Sequence, residues 1–142
     1  MGQWKERPLP AEVEELAEQI RTIALEVHRE VGAGFRENVY QTCLAHALRQ
    51  AGHKVVERES VSVRFRDIVI SRAGEPDMVV DGKVVVELKA HSVMHASYRA
   101  QVVGYLKATG HPVGLLFNFH APVPPRGGTD TLVHPRYLEY EP

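Results

Sequence analysis

Asp77, Glu87 and Lys89 have the types and spacing of a hydrolytic metal site, in the runs Pro76-Asp77 and Glu87-Leu88-Lys89. Between them lies Asp81-Gly82, a pair that supplies the positive φ angles of a tight hairpin turn. Met78-Val79-Val80 and Lys83-Val84-Val85-Val86 are therefore expected to pair as strands around that turn. Asp77 then opens one strand while Glu87 and Lys89 close the other, side by side at the end away from the turn. Residues two apart on a strand point to the same face. Carboxylate oxygens suit Mg²⁺, or Mn²⁺ in its place, and Mg²⁺ keeps several waters and takes one or two carboxylates plus a substrate phosphate. Such an ion polarises a phosphoryl oxygen and acidifies a bound water. An amine nearby can position or deprotonate that water, or offset charge in the transition state. Phosphodiester hydrolysis is the chemistry this trio suits. The ordinary alternative is a solvated cross-strand ion pair, and the apolar Val84-Val85-Val86 opposes it by burying the strand.

The elements that must position these groups can be read from periodicity. Residues 1–10 form a short arm ending in Pro8-Leu9-Pro10. A first helix follows, with Glu12, Glu14 and Glu15 in its first turn, where the dipole favours acids. Val13, Leu16, Ala17, Ile20, Ala24, Val27 and Val31 recur at helical spacing. Gly32-Ala33-Gly34 stops that helix, and a second runs from about Arg36 to Ala51. Val55-Val56 and Val61 to Phe65 alternate as half-buried strands do, and Ile68-Val69-Ile70 is expected to continue the sheet after a turn at Arg66-Asp67. A third helix is expected from about His95 to Thr109, then a buried strand from Val113 to Phe117. Pro122 to Gly128 reads as a loop, and the tail is expected to add one edge strand. The order is αα-ββ-ββ-α-β without internal repeat. It describes a single domain over residues 1–142, with a core at about 11–120, an N-terminal arm at 1–10, and a loop and tail at 121–142.

With 142 residues, 44% hydrophobic and 25% charged, the chain has the composition of an ordinary globular domain. A domain this long buries roughly two-thirds of its unfolded surface and needs no disulfide to fold. Cys43 is the only cysteine, so no internal disulfide can form. No apolar run has the length of a membrane span, and the N-terminal residues lack the apolar core of a signal peptide, which points to the cytoplasm. Seventeen basic against 18 acidic residues exclude a general nucleic-acid coating protein. A local basic groove beside an acidic site remains compatible with that balance.

The Pro-Asp…Glu-x-Lys pattern resembles the PD-(D/E)XK nuclease superfamily. Gly34-Phe35-Arg36-Glu37-Asn38-Val39-Tyr40, Val85 to Ala90, Gln101 to Gly110 and Leu115 to Phe119 make it similar to the small bacterial GxxExxY proteins within that superfamily. The resemblance spans about Ile20 to Phe119. It implies an α/β restriction-endonuclease-like core, a central mixed β-sheet flanked by helices. It also implies metal-site roles for Glu37, Asp77 and Glu87, a catalytic role for Lys89, and DNA as substrate, with RNA not excluded. Gln101 and Tyr105 match a Gln-x-x-x-Tyr motif of the exonuclease branch. Their spacing puts both on one helix face, where they could contact phosphate or brace Lys89. Glu75 stands before Pro76 where GxxExxY proteins more usually carry arginine, and the tail after His120 matches nothing in the family.

Each of these has an ordinary counterpart. Glu37 could be a helix-start carboxylate, and Gln101 and Tyr105 could be helix surface and core. Tyr40 reads as core, and Cys43 as a buried, inert thiol. His91 and His95 have the spacing of a helical zinc pair, but no further ligands follow at a recognisable distance. His28, His46, His53, His111, His120 and His134 read as surface or loop residues. The rival to a nuclease is a non-catalytic nucleic-acid- or protein-interaction module that keeps the fold, or an accessory subunit whose metal serves stability alone. A homodimer is compatible with so small a domain.

Overall fold

Pro10 closes the arm, and α1 (Ala11–Val31) begins with Glu12 and Glu14 in its first turn. The computed structural model describes residues 1–120 and 129–142, so the expected loop from Pro122 to Gly128 lies outside the described residues. Val13, Leu16, Ala17, Ile20, Ala24 and Val27 are buried along α1, the face that the sequence spacing marks out. Gly32 ends the helix at φ 79°, a conformation that favours glycine. After the turn comes α2 (Glu37–Gln50), which buries Tyr40, Gln41, Leu44, Ala45 and Leu48. The Tyr40 hydroxyl donates to the Gly32 carbonyl at 2.7 Å and accepts from the Phe35 N–H at 3.2 Å. Tyr40 thus ties the inter-helix turn to the core.

Five strands form the central sheet: β2 (Val55–Glu57), β5 (Met78–Val80), β6 (Val84–Lys89), β7 (Val113–Asn118) and β8 (Thr129–Val133), in the order β2-β5-β6-β7-β8. β6 and β7 run parallel, joined through α3 (Ala96–Thr109), and the other pairs are antiparallel. A parallel pair requires such a crossover. Val84, Val86, Leu88, Val113, Leu115 and Phe117 share a core with α1 and α2. Val79 and Val85 pack instead with Tyr105 and Leu106 of α3. The period-two alternation of β6 therefore puts Glu87 and Lys89 on the α3 side. This is a mixed α/β sheet flanked by helices, as the restriction-endonuclease-like expectation requires. At the β5–β6 turn Asp81 and Gly82 take φ of 52° and 63°, and the Lys83 N–H bonds back to the Val80 carbonyl at 3.0 Å.

Three expectations need correction. Ile68-Val69-Ile70 does not continue the sheet. Among the described residues β3 (Val61–Phe65) and β4 (Ile68–Gly74) pair only with each other, and the place beside β5 is taken by β2. The N-terminal arm carries a strand that the sequence reading leaves out, since β1 (Gln3–Glu6) pairs antiparallel with β9 (Leu138–Glu141), with Trp4 and Tyr140 rings 5.4 Å apart. The tail thus adds β9 as well as the edge strand β8. His28 is buried rather than exposed, edge-on to Phe119 at 5.2 Å, and its Nε2 has no partner among the described residues. None of the described helices is long and apolar enough to cross a membrane.

Candidate active site

The hairpin register pairs Met78 with Val86, which brings Asp77 beside Glu87 at the strand ends. There the two acids are interlocked. The Asp77 N–H donates to Glu87 Oε1 at 2.7 Å, and the Leu88 N–H donates to Asp77 Oδ2 at 2.8 Å. Each carboxylate thereby spends one oxygen on the backbone and keeps the other, Asp77 Oδ1 and Glu87 Oε2. Lys89 Nζ stands 4.0 Å from Glu87 Oε2 and 4.6 Å from the centre of the Tyr98 ring on α3.

Burial dominates the electrostatics. Glu87 is only 4% exposed, and loss of solvent, reinforced by the neighbouring Asp77 charge, pushes its carboxyl up to about 7. Burial likewise holds Asp77 above the usual carboxylate range, against the Leu88 N–H, Lys89 and Arg58, which pull it down. Burial and then the Glu87 charge also raise the Tyr105 phenol, against the Glu75 backbone and the Gln101 side chain, which pull it down. Gly74 permits this approach, since a Cβ there would lie 2.7 Å from Tyr105 Cε1. Tyr105 is therefore a core residue with its hydroxyl at the site, and Gln101 is exposed beside it.

Glu37 is not drawn into this cluster. Its carboxylate pairs with His91 Nε2 at 3.0 Å and is 38% exposed, although its charge still adds to the repulsion on Asp77. Among the described residues no three His, Cys, Asp or Glu side chains are grouped to hold a metal. His91 precedes α3 in a loop and His95 caps it, each ring set against Tyr98, so they are not a helical ligand pair. The donor set does fit Mg²⁺, because that ion takes one or two carboxylates and completes its shell with water and phosphate. Buried Glu87, whose proton affinity the half-buried Asp77 charge raises, is also the group a cation would relieve.

One residue here carries no signal in the sequence. Arg58 donates its backbone N–H to the Asp77 carbonyl at 3.2 Å, and its charge favours ionisation of both Asp77 and Glu87. Its position follows from the β2–β5 pairing, which is set across a long stretch of chain. A family model described as the PD-(D/E)XK nuclease superfamily matches residues 14–128, most of the chain. No curated protein and no solved structure matches.

Proposed function

The chain belongs to the PD-(D/E)XK nuclease superfamily, and from that premise we propose that it is a cytoplasmic, Mg²⁺-dependent nuclease hydrolysing phosphodiester bonds of DNA. The observation that carries this reading is the interlocked pair Asp77 and Glu87 with Lys89 Nζ at 4.0 Å from Glu87. Asp77 Oδ1 and Glu87 Oε2 are the oxygens left to hold the ion. When bound, the ion polarises the phosphoryl oxygen and lowers the pKa of a bound water. Lys89 directs its N–H bonds at the attacking water or the phosphoryl oxygen and offsets the negative charge that develops there. Its backbone is fixed by the strand pairing of β6 and its ammonium lies over the Tyr98 ring, so the charge is positioned before substrate arrives. Gln101 and the Tyr105 hydroxyl are assigned to the substrate phosphate. Glu37 is assigned to the metal site on the frame from Gly34 to Tyr40, and the same frame supports placing the chain in the GxxExxY branch.

Purified protein incubated with duplex DNA, single-stranded DNA and RNA, with Mg²⁺, Mn²⁺ or chelator, tests the activity directly. Lys89→Ala should lose at least about a hundredfold in turnover while keeping the stabilisation that the ion confers. Turnover equal to the wild type on any substrate it cuts would remove Lys89 from the chemistry.

A further inference from the structure

The β3–β4 ribbon is the part of the chain this mechanism leaves unused. Its apolar residues lie open, with Phe65 56%, Ile68 52% and Ile70 48% exposed. Arg64, Arg66 and Arg72 lie along it against Asp67, with Arg58, Glu59 and Glu75 at its ends. None of these four arginines forms an ion pair among the described residues, as is also true of Arg7, Arg29, Arg36 and Arg136, whereas Arg21, Arg49 and Arg99 do. Arg58, Arg66 and Arg72 also hold φ of 52°, 53° and 54°. Glycine takes that conformation with least strain, so the fold tolerates strain where it presents a long cation. Arg72 occupies a bulge, since Ser62 alone stands between the Val61–Gly74 and Val63–Ile70 pairs while β4 runs Ser71-Arg72-Ala73. Bulges re-aim the side chains they carry. At the tip, the Arg66 guanidinium lies 4.8 Å from the Phe65 ring centre. Arg64 joins Lys107 in lining a cleft of about 600 Å³ between the ribbon and α3.

Both ends of the ribbon lead to the backbone of Asp77, through the Arg58 N–H bond to the Asp77 carbonyl and through Gly74-Glu75-Pro76. Unpaired guanidinium groups suit a polyanion, pairing well with phosphate. A two-stranded ribbon fits the major groove of B-DNA, roughly 12 Å wide. A second copy of the chain is a poorer occupant, because a two-fold contact would set these arginines against their own mates.

We propose that the β3–β4 ribbon is the arm by which the protein seats on duplex DNA, with Arg64, Arg66 and Arg72 on phosphates and Phe65 and Ile68 against base edges. The choice of DNA rests on the nuclease reading. Two double variants, Arg64→Ser with Arg66→Ser and Phe65→Ser with Ile68→Ser, are titrated against a fluorescent blunt duplex and one of its single strands, in chelator. Hydrolysis of thymidine 5′-(p-nitrophenyl phosphate), too short to reach the ribbon, is followed in Mg²⁺. Each variant should bind duplex at least about tenfold more weakly, with the arginine pair lowering the salt slope by about 2. Hydrolysis of the small ester should stay as in wild type. Duplex affinity unchanged in both variants overturns the arm. So does an effect confined to single strand, or a dimer of wild type that the variants split without loss of duplex affinity. A wild type that cleaves nothing, with duplex binding still lost in the variants, fails the nuclease reading and keeps the arm.

Discussion

The β5–β6 hairpin is buried from Met78 to Val80 and from Val84 to Leu88, whereas the β3–β4 ribbon, with valine and isoleucine of its own, buries only Val61. Apolar content alone does not account for the difference, since both hairpins carry seven apolar strand residues. Neighbours do: β6 has a strand on each side and a helix layer on each face, while among the described residues β3 and β4 have only each other as strands and meet α3 at Val61 and Gly74. Burial turns the acids at the end of the first hairpin into weak acids that hold each other's strands. Exposure leaves the arginines of the second without carboxylate partners.

The contrast can be broken most directly by truncation. Leu115→Ala, fully buried opposite Val86, should cost about 2–5 kcal/mol in urea unfolding. Ile70→Ala on the ribbon should change stability by no more than about 0.5 kcal/mol. Comparable costs would mean that the ribbon is covered in solution.

Protonation sharpens the same contrast. The Glu87 carboxyl is raised from 4.5 to about 7, so between those values the folded state binds more protons than the unfolded one. Its contribution to stability is therefore greatest below about pH 4.5 and is lost as pH rises towards 7. The loss is on the order of 3 kcal/mol in metal-free protein. Glu87→Gln keeps an acceptor for the Asp77 N–H and should flatten this slope. His111, lowered by burial, acts in the opposite sense, so the informative quantity is wild type minus variant across the pH series. Parallel profiles would remove Glu87 as the source.

A cation gives the smallest of the three effects. At about 100 times its dissociation constant, Mg²⁺ or Mn²⁺ should stabilise the wild type by roughly 2.7 kcal/mol, a rise in Tm of roughly 5–10 °C. Asp77→Asn removes a repelling charge, so its metal-free form should melt no lower than wild type, yet most of the ion-dependent shift should vanish. An equal shift in the variant would take Asp77 out of the metal site.

The parts of the fold legible in the sequence are those set by local rules. Helical spacing marks α1, α2 and α3, and Asp81-Gly82 marks the turn whose register brings Asp77, Glu87 and Lys89 together. What was not legible depends on contacts distant along the chain. β1 meets β9 across nearly the whole sequence, and β2 claims an edge that nothing in Ile68-Val69-Ile70 could announce. Glu37 follows a motif frame, but its partner His91 comes from a loop whose path only the folded chain sets. His28 reads as polar and is buried because Phe119, from the far end of β7, lies against it.

The reciprocal hydrogen bonds between Asp77 and Glu87 bear on how such a protein could age. Both acids stitch the ends of β5 and β6 together, so a descendant that abandoned hydrolysis would still lose backbone bonding by discarding either one. Among the described residues the Lys89 ammonium makes no comparable bond, meeting the Glu87 and Asp77 charges and the Tyr98 ring. Decay of function in this lineage should therefore begin at the lysine, while the acids persist as masonry.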